Sequence, residues 1–215
     1  MDLKSVYSKV FYWMFLGLLV TFLTGYTVAN NTNMSMFIFE GMIWVILAII
    51  EIVLVLILSA RLHKMNPITA KIMFMVYSVV TGLTFSSIFI VYEIASIIYV
   101  FAITAAVFGI FAALGHFTKL DLSKISTFLL MGLIGVVICS IVNMFLGNNT
   151  FDLVISIISI IVFLGLTAYD MQKIKNSIEY YPNIENLAIY GALELYLDFI
   201  NIFLDLLKLI GKSRD

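Results

Sequence analysis

Seven times along this chain about twenty residues pass with scarcely a charge, and each run is long enough to cross a bilayer as a helix rising 1.5 Å per residue. The runs cover Val10–Val28, Phe39–Leu58, Ile72–Val91, Ile97–Leu114, Thr127–Leu146, Phe151–Tyr169 and, less purely, Ala192–Ile210. Short polar links join them. Of 215 residues, 63% are hydrophobic and 12% charged, so little chain remains for a water-soluble domain. Membrane barrels alternate polar and apolar residues over about 10 positions, whereas these runs are apolar on both faces. The expectation is an all-α integral membrane protein, a single polytopic domain over residues 1–215.

The first run follows Lys4 and Lys9 but is too long for the core of a signal peptide, and no small-x-small cleavage site follows Val28. It reads as a retained helix. Cys139 is the one cysteine and sits inside the fifth run, which excludes an intrachain disulfide. A net charge of −1 without any basic patch gives no reason to expect a nucleic-acid partner. No soluble-enzyme, cofactor or metal framework is evident, so the chain is not read as an enzyme. A chain with almost no extramembrane mass is expected in a bacterial cytoplasmic membrane.

The twelve Lys and Arg residues set an expected orientation. Lys4 and Lys9 precede the first run; Arg61, Lys64 and Lys71 follow the second; Lys119 and Lys124 follow the fourth; Lys173 and Lys175 follow the sixth. The links after the first, third and fifth runs have none, which predicts a cytoplasmic N-terminus. Lys208, Lys212 and Arg214 then break the rule if the last run crosses completely. A re-entrant segment would keep them inside, at the cost of irregular backbone that other helices must shield. Full crossing is the expectation, because no Gly or Pro interrupts Ala192–Ile210.

That last run also carries Glu194, Asp198, Asn201 and Asp205. At about 100° per residue they share a stripe roughly 60° wide. Such a face cannot look at lipid, so the helix is expected inside the bundle. Glu51 lies in the middle of the second run, where an acid costs at least ~2.5 kcal/mol on insertion scales, and so points to a paired or functional role. Asp170 closes the sixth run and Arg61 the second. A simpler reading makes Asp170 a helix-end acid neutralised by Lys173, and Arg61 a side chain snorkelling to the interface. Asn201 is expected to hydrogen-bond between helices, His116 to face the interface, and Ser78, Thr81 and Thr84 to line a helix contact.

Two stretches, LTAYDMQKIK at 166–175 and LELYLDFINIFLDLLKLIG at 193–211, resemble the transmembrane Bax-inhibitor-motif family, whose members carry a Tyr-Asp-x-Gln-Lys/Arg-Ile element and a closing helix of the second kind. The resemblance implies seven helices, with six wrapped in two groups of three around a central C-terminal one. It implies a pH-sensitive calcium leak and, in eukaryotic relatives, protection against cell death. Carried over by position, the family's pH-sensing aspartates fall on Asp170 and Asp198 and its latching arginine on Arg61. Glu51 matches an acidic position on the ion route. Met171 stands where many members have threonine, and Glu194 and Asp205 match no family role.

Two carboxylates in hydrogen-bond reach cannot both ionise cheaply, so they share a proton. Its loss calls for a cation, which Arg61 would supply, and the exchange would gate a route lined by Glu51 and by Glu194, Asn201 and Asp205. Glu51 and Asp198 would meet calcium, whose few ligands here suit a leak better than a buffer. Calcium ions, protons and the bilayer are the partners expected; no protein partner is implied. Three alternatives stay open. A proton-coupled transporter would favour Gly- or Pro-broken helices and a repeated half, and no convincing repeat is evident. A non-transporting scaffold would use the acids only as bundle pairs. An intramembrane aspartyl protease would show Gly-x-Gly-Asp at its second acid and Pro-Ala-Leu downstream, whereas this chain has LYLD and no proline after Pro182.

Overall fold

A computed structural model of the chain describes residues 3–39, 42–178 and 183–214. Its helices are α1 (Leu3–Ala29), α2 (Thr32–Phe39), α3 (Ile43–Arg61), α4 (Pro67–Val91), α5 (Ile94–Phe117), α6 (Ser123–Leu146), α7 (Asn149–Ser177) and α8 (Ile184–Ile210), with a single 3₁₀ turn at Leu62–Lys64. All but α2 are long and apolar enough to cross a membrane. The seven expected runs are therefore the seven long helices, with changes at their ends.

Those changes have local causes. Phe39, expected to open the second span, instead ends the separate helix α2, and Glu40 and Gly41 lie outside the described residues. Asn31 starts α2 by accepting the Met34 N–H at 3.2 Å. Asn66 caps α4 by accepting the Ile68 N–H at 2.9 Å, with Pro67 at the first helical position. Gly147, at φ 62°, takes the left-handed conformation that stops α6. Asn183 accepts the Glu185 N–H at 2.8 Å, so α8 opens well before the expected Ala192.

The helices group into two compact units. The first comprises Met1–Glu93, Ser177–Tyr196 and Ser213–Asp215. In it the buried side of α1 recurs every three or four residues, through Val6, Val10, Met14, Gly17, Thr21, Gly25 and Val28. Small residues let α1 and α4 approach closely: a Cβ on Gly82 would lie 2.6 Å from Thr24 Cβ and 2.9 Å from the Thr21 carbonyl oxygen. The second unit comprises Ile94–Asn176 and Leu197–Lys212. There Phe199 packs on Phe101 and Phe108 at 5.0 and 5.5 Å between ring centroids. Gly115 lies against the Ala168 backbone so tightly that a Cβ would collide with it.

Burial separates the helices by role. In its most apolar window α8 is 72% buried, against 50% or less in the others and 6% in α3 and α6. Leu58 is the one residue of α3 classed as buried, and Phe128 and Phe145 of α6 are 73% and 79% exposed. The surfaces of α3 and α6 suit hydrocarbon, and α8 is the enclosed helix that its polar stripe requires.

The last helix is long and apolar enough to cross completely, and contacts tie it down near both ends. In the first unit its opening turns meet the start of α4, where the Asn186 amide donates to the Met65 carbonyl at 2.8 Å. Beyond its other end, the Arg214 N–H donates to the Val91 carbonyl at the close of α4, also at 2.8 Å. In the second unit the Lys212 N–H donates to Ser96 Oγ at 2.8 Å, near the start of α5. The helix runs unbroken from Ile184 to Ile210, as the expected full crossing requires, and within the first unit Arg214 lies at the end opposite Lys9 and Lys71.

Candidate functional site

Glu51 projects from α3 towards α4, where two threonines meet it. The Thr81 hydroxyl donates to one carboxyl oxygen at 2.8 Å, and Thr84 Oγ1 lies 3.2 Å from the other. Thr84 also approaches the Thr81 carbonyl at 2.8 Å. The threonines expected to line a helix contact thus do so by binding the intramembrane acid. Behind them stand Tyr77 and Tyr196, with rings 5.9 Å apart, and Tyr196 is fully buried. Its hydroxyl lies 2.6 Å from Thr21 Oγ1, which in turn donates to the Ser78 carbonyl at 3.0 Å. Nothing in the sequence alone brings this hydroxyl cluster together around the acid. A buried tyrosine must find a polar partner, yet the partner, Thr21, lies 175 residues away.

The second unit holds the other acids. Asp170 and Asp198 are 5% and 3% exposed, on α7 and α8. Asp170 does not close its helix as expected: α7 continues to Ser177, which sets the carboxylate about 10 Å inside the helix end. The cause is visible in the same motif. Gln172 clamps the α5–α6 link, donating to the Leu120 carbonyl and accepting the Leu122 N–H, both at 2.8 Å. Lys175 reaches the His116 carbonyl at 3.3 Å. Packing on that link keeps the last two turns of α7 helical. Lys173 lies 3.8 Å from the Asp170 carboxylate, as the simpler reading of that acid expects. In the same link, the Ser123 hydroxyl and backbone N–H hold the Asp121 carboxyl below the ordinary range.

Among the described residues Asn201 bonds within its own helix rather than to another, its amide donating to the Leu197 carbonyl at 2.8 Å. One turn on, Asp205 faces the hydroxyls of Ser159 and Ser156 on α7. Further towards the end of α8, Lys208 approaches Asp152 of α7 at 3.3 Å. Glu194 is half-buried on the part of α8 that belongs to the first unit. Arg61 is exposed in the last turn of α3. Also in the first unit, Glu185 pairs with Lys9 and, at 2.5 Å, with Lys71, whose ammonium lies 5.4 Å from the centroid of the Trp13 ring. Among the described residues no three His, Cys, Asp or Glu side chains gather as a metal site.

Comparison with known proteins adds a family. Residues 3–215 match the family described as "Inhibitor of apoptosis-promoting Bax1". The inner membrane protein YbhL of Escherichia coli is 42% identical over 99% of this chain and 93% of its own length. An uncharacterised protein of Borreliella burgdorferi is 39% identical over 97% of this chain and 92% of its own, and one of Deinococcus radiodurans 38% over 100% and 93%.

Proposed function

Since the chain belongs to the Bax inhibitor family, we propose that it is a pH-sensitive calcium leak channel of a bacterial cytoplasmic membrane, gated by a proton that Asp170 and Asp198 share. The observation that carries the reading is the burial of those two carboxylates within helices long enough to cross a bilayer. An acid kept there without function is a standing cost. Register supports the pairing. The contacts of Asp152 with Lys208 and of Ser159 with Asp205 make α7 and α8 antiparallel. Extended along both helices, that register carries Asp198 to the one or two turns of α7 just before Asp170. Side chains lean towards the N-terminus of their own helix, so in an antiparallel pair these two lean towards each other.

When the pair gives up its proton, the added negative charge draws a cation. Arg61 is the protein's own candidate, and the exchange between latch and proton opens or closes the route. Glu51, held by Thr81 and Thr84, lines that route with Glu194, Asn201 and Asp205. Calcium meets Glu51 and Asp198 as isolated oxygen ligands, a sparse set from which an ion readily leaves. The basic links favour an N-terminus in the cytoplasm, and the Escherichia coli relative, an inner membrane protein by name, supports the location. The scaffold alternative draws on one contact, between Asp170 and Lys173.

Proteoliposomes loaded with a calcium dye separate these readings. A leak admits calcium down its gradient at a rate that changes across a pH series. Flux at the level of empty liposomes at every pH sinks the proposal and leaves the scaffold, and uphill uptake driven by a proton gradient replaces the channel with a transporter.

A further inference from the structure

On α7, Asp152, Ser156 and Ser159 fall on one face, spaced by four and three residues. On α8, Asp205 and Lys208 are three apart and face them. Lys208 and Asp152 are half-exposed at the end of the helices, with side chains 45% and 39% accessible. Ser156 beneath them is fully buried. Its hydroxyl lies close enough to Asp205 to act on that carboxyl, yet meets no partner at good hydrogen-bond geometry among the described residues. A buried hydroxyl with unused lone pairs beside a carboxyl can serve a hard cation as an oxygen ligand.

We propose that Asp152, Asp205, Ser156 and Ser159 form a binding site for a hard divalent cation at the C-terminal end of α8, and that Lys208 is a tethered counter-ion the cation must displace. The inference rests on the reading of α8 as an ion route, to which it adds a gatekeeping charge at one mouth. Lys208 is suited to leave. An exposed ammonium–carboxylate pair contributes no more than about a five-fold factor to any equilibrium, and its ammonium brings no further ligand when displaced. A divalent ion instead gains two carboxylates and two hydroxyls together. Once Lys208 has swung away, its positive charge no longer opposes the ion passing towards Asn201 and Asp198.

The test is manganese binding, followed by the electron paramagnetic resonance signal of free Mn²⁺, to the full-length protein in detergent. Lys208→Gln should tighten binding about five-fold; Lys208→Arg, which keeps the charge, should not. Adding Asp205→Asn to Lys208→Gln should abolish the gain. Equal affinity of Lys208→Gln and the unaltered protein overturns the proposal, as does a gain that survives Asp205→Asn. Because Lys208 is half-exposed, its variants keep the fold, and an unchanged melting temperature verifies this. Calcium flux is recorded on the same samples. If binding follows the expected order while no variant conducts, the site stands and the leak reading falls; if conduction persists while the binding order fails, the reverse holds.

Discussion

Replacing Glu51 with glutamine should stabilise the protein while impairing its ion route. The reason is proton accounting. A hydroxyl carries one proton, and Thr84 Oγ1 has two acceptors, the Thr81 carbonyl at 2.8 Å and Glu51 Oε2 at 3.2 Å. The shorter bond takes the proton. Glu51 Oε2 then faces an oxygen lone pair, and the carboxylate keeps one good bond, from Thr81 at 2.8 Å. In Glu51→Gln the amide oxygen accepts from Thr81 and one amide N–H donates to Thr84, so both threonine contacts pair a donor with an acceptor. Relieving one poorly met buried polar group is worth about 1–2 kcal/mol, or a rise of about 2–8 °C in melting temperature for a chain of this size. Glu51→Ala strands the Thr81 hydroxyl and should fall below the unaltered protein. Thermal unfolding in detergent reads the order Gln, Glu, Ala. If Glu51→Gln melts lower than the unaltered protein, charge-assisted bonds from both threonines hold the carboxylate and the accounting is wrong.

Three other outcomes follow from particular contacts. Thr21→Val and Tyr196→Phe should each destabilise by about 1 kcal/mol, and a double-mutant cycle should return a coupling of about 0.6 and at most about 1.7 kcal/mol; additive effects would mean that the 2.6 Å contact contributes nothing. Gly115→Ala should cost about 1–3 kcal/mol, because the new Cβ meets the Ala168 backbone. Gly109→Ala, with nothing within 4 Å, should instead gain about 0.5–1 kcal/mol from helix propensity, so equal effects would refute the packing described. In a Cys139→Ser background, a cysteine at Lys212 should react with an impermeant maleimide from outside intact cells and one at Lys64 should not; the opposite pattern would invert the proposed orientation.

The spans were legible because about twenty apolar residues have few other uses. Their ends were less so. Asp170 looks terminal by hydropathy, since Gln172, Lys173 and Lys175 follow it, yet those polar residues hold the α5–α6 link and the helix continues to Ser177. Helix α2 depends on one Asn31 cap within a polar link. The stripe on α8 was readable because periodicity is a property of one helix. Asn201 was misjudged because a carbonyl four residues back is always within its reach. The hydroxyls around Glu51 and the serines facing Asp205 stayed hidden for a different reason. They arise where separate helices meet, and no period within a single segment encodes which helices those are.

Asp170 and Asp198 are proposed to act as one proton-bearing unit. Calcium influx into proteoliposomes, measured from pH 5 to pH 8 for the unaltered protein, Asp170→Asn, Asp198→Asn and the double variant, tests it most directly. Either single substitution should abolish or displace the pH dependence, and the double variant should add nothing further. A pH dependence unchanged in both single variants, or lost only in additive steps, would contradict it.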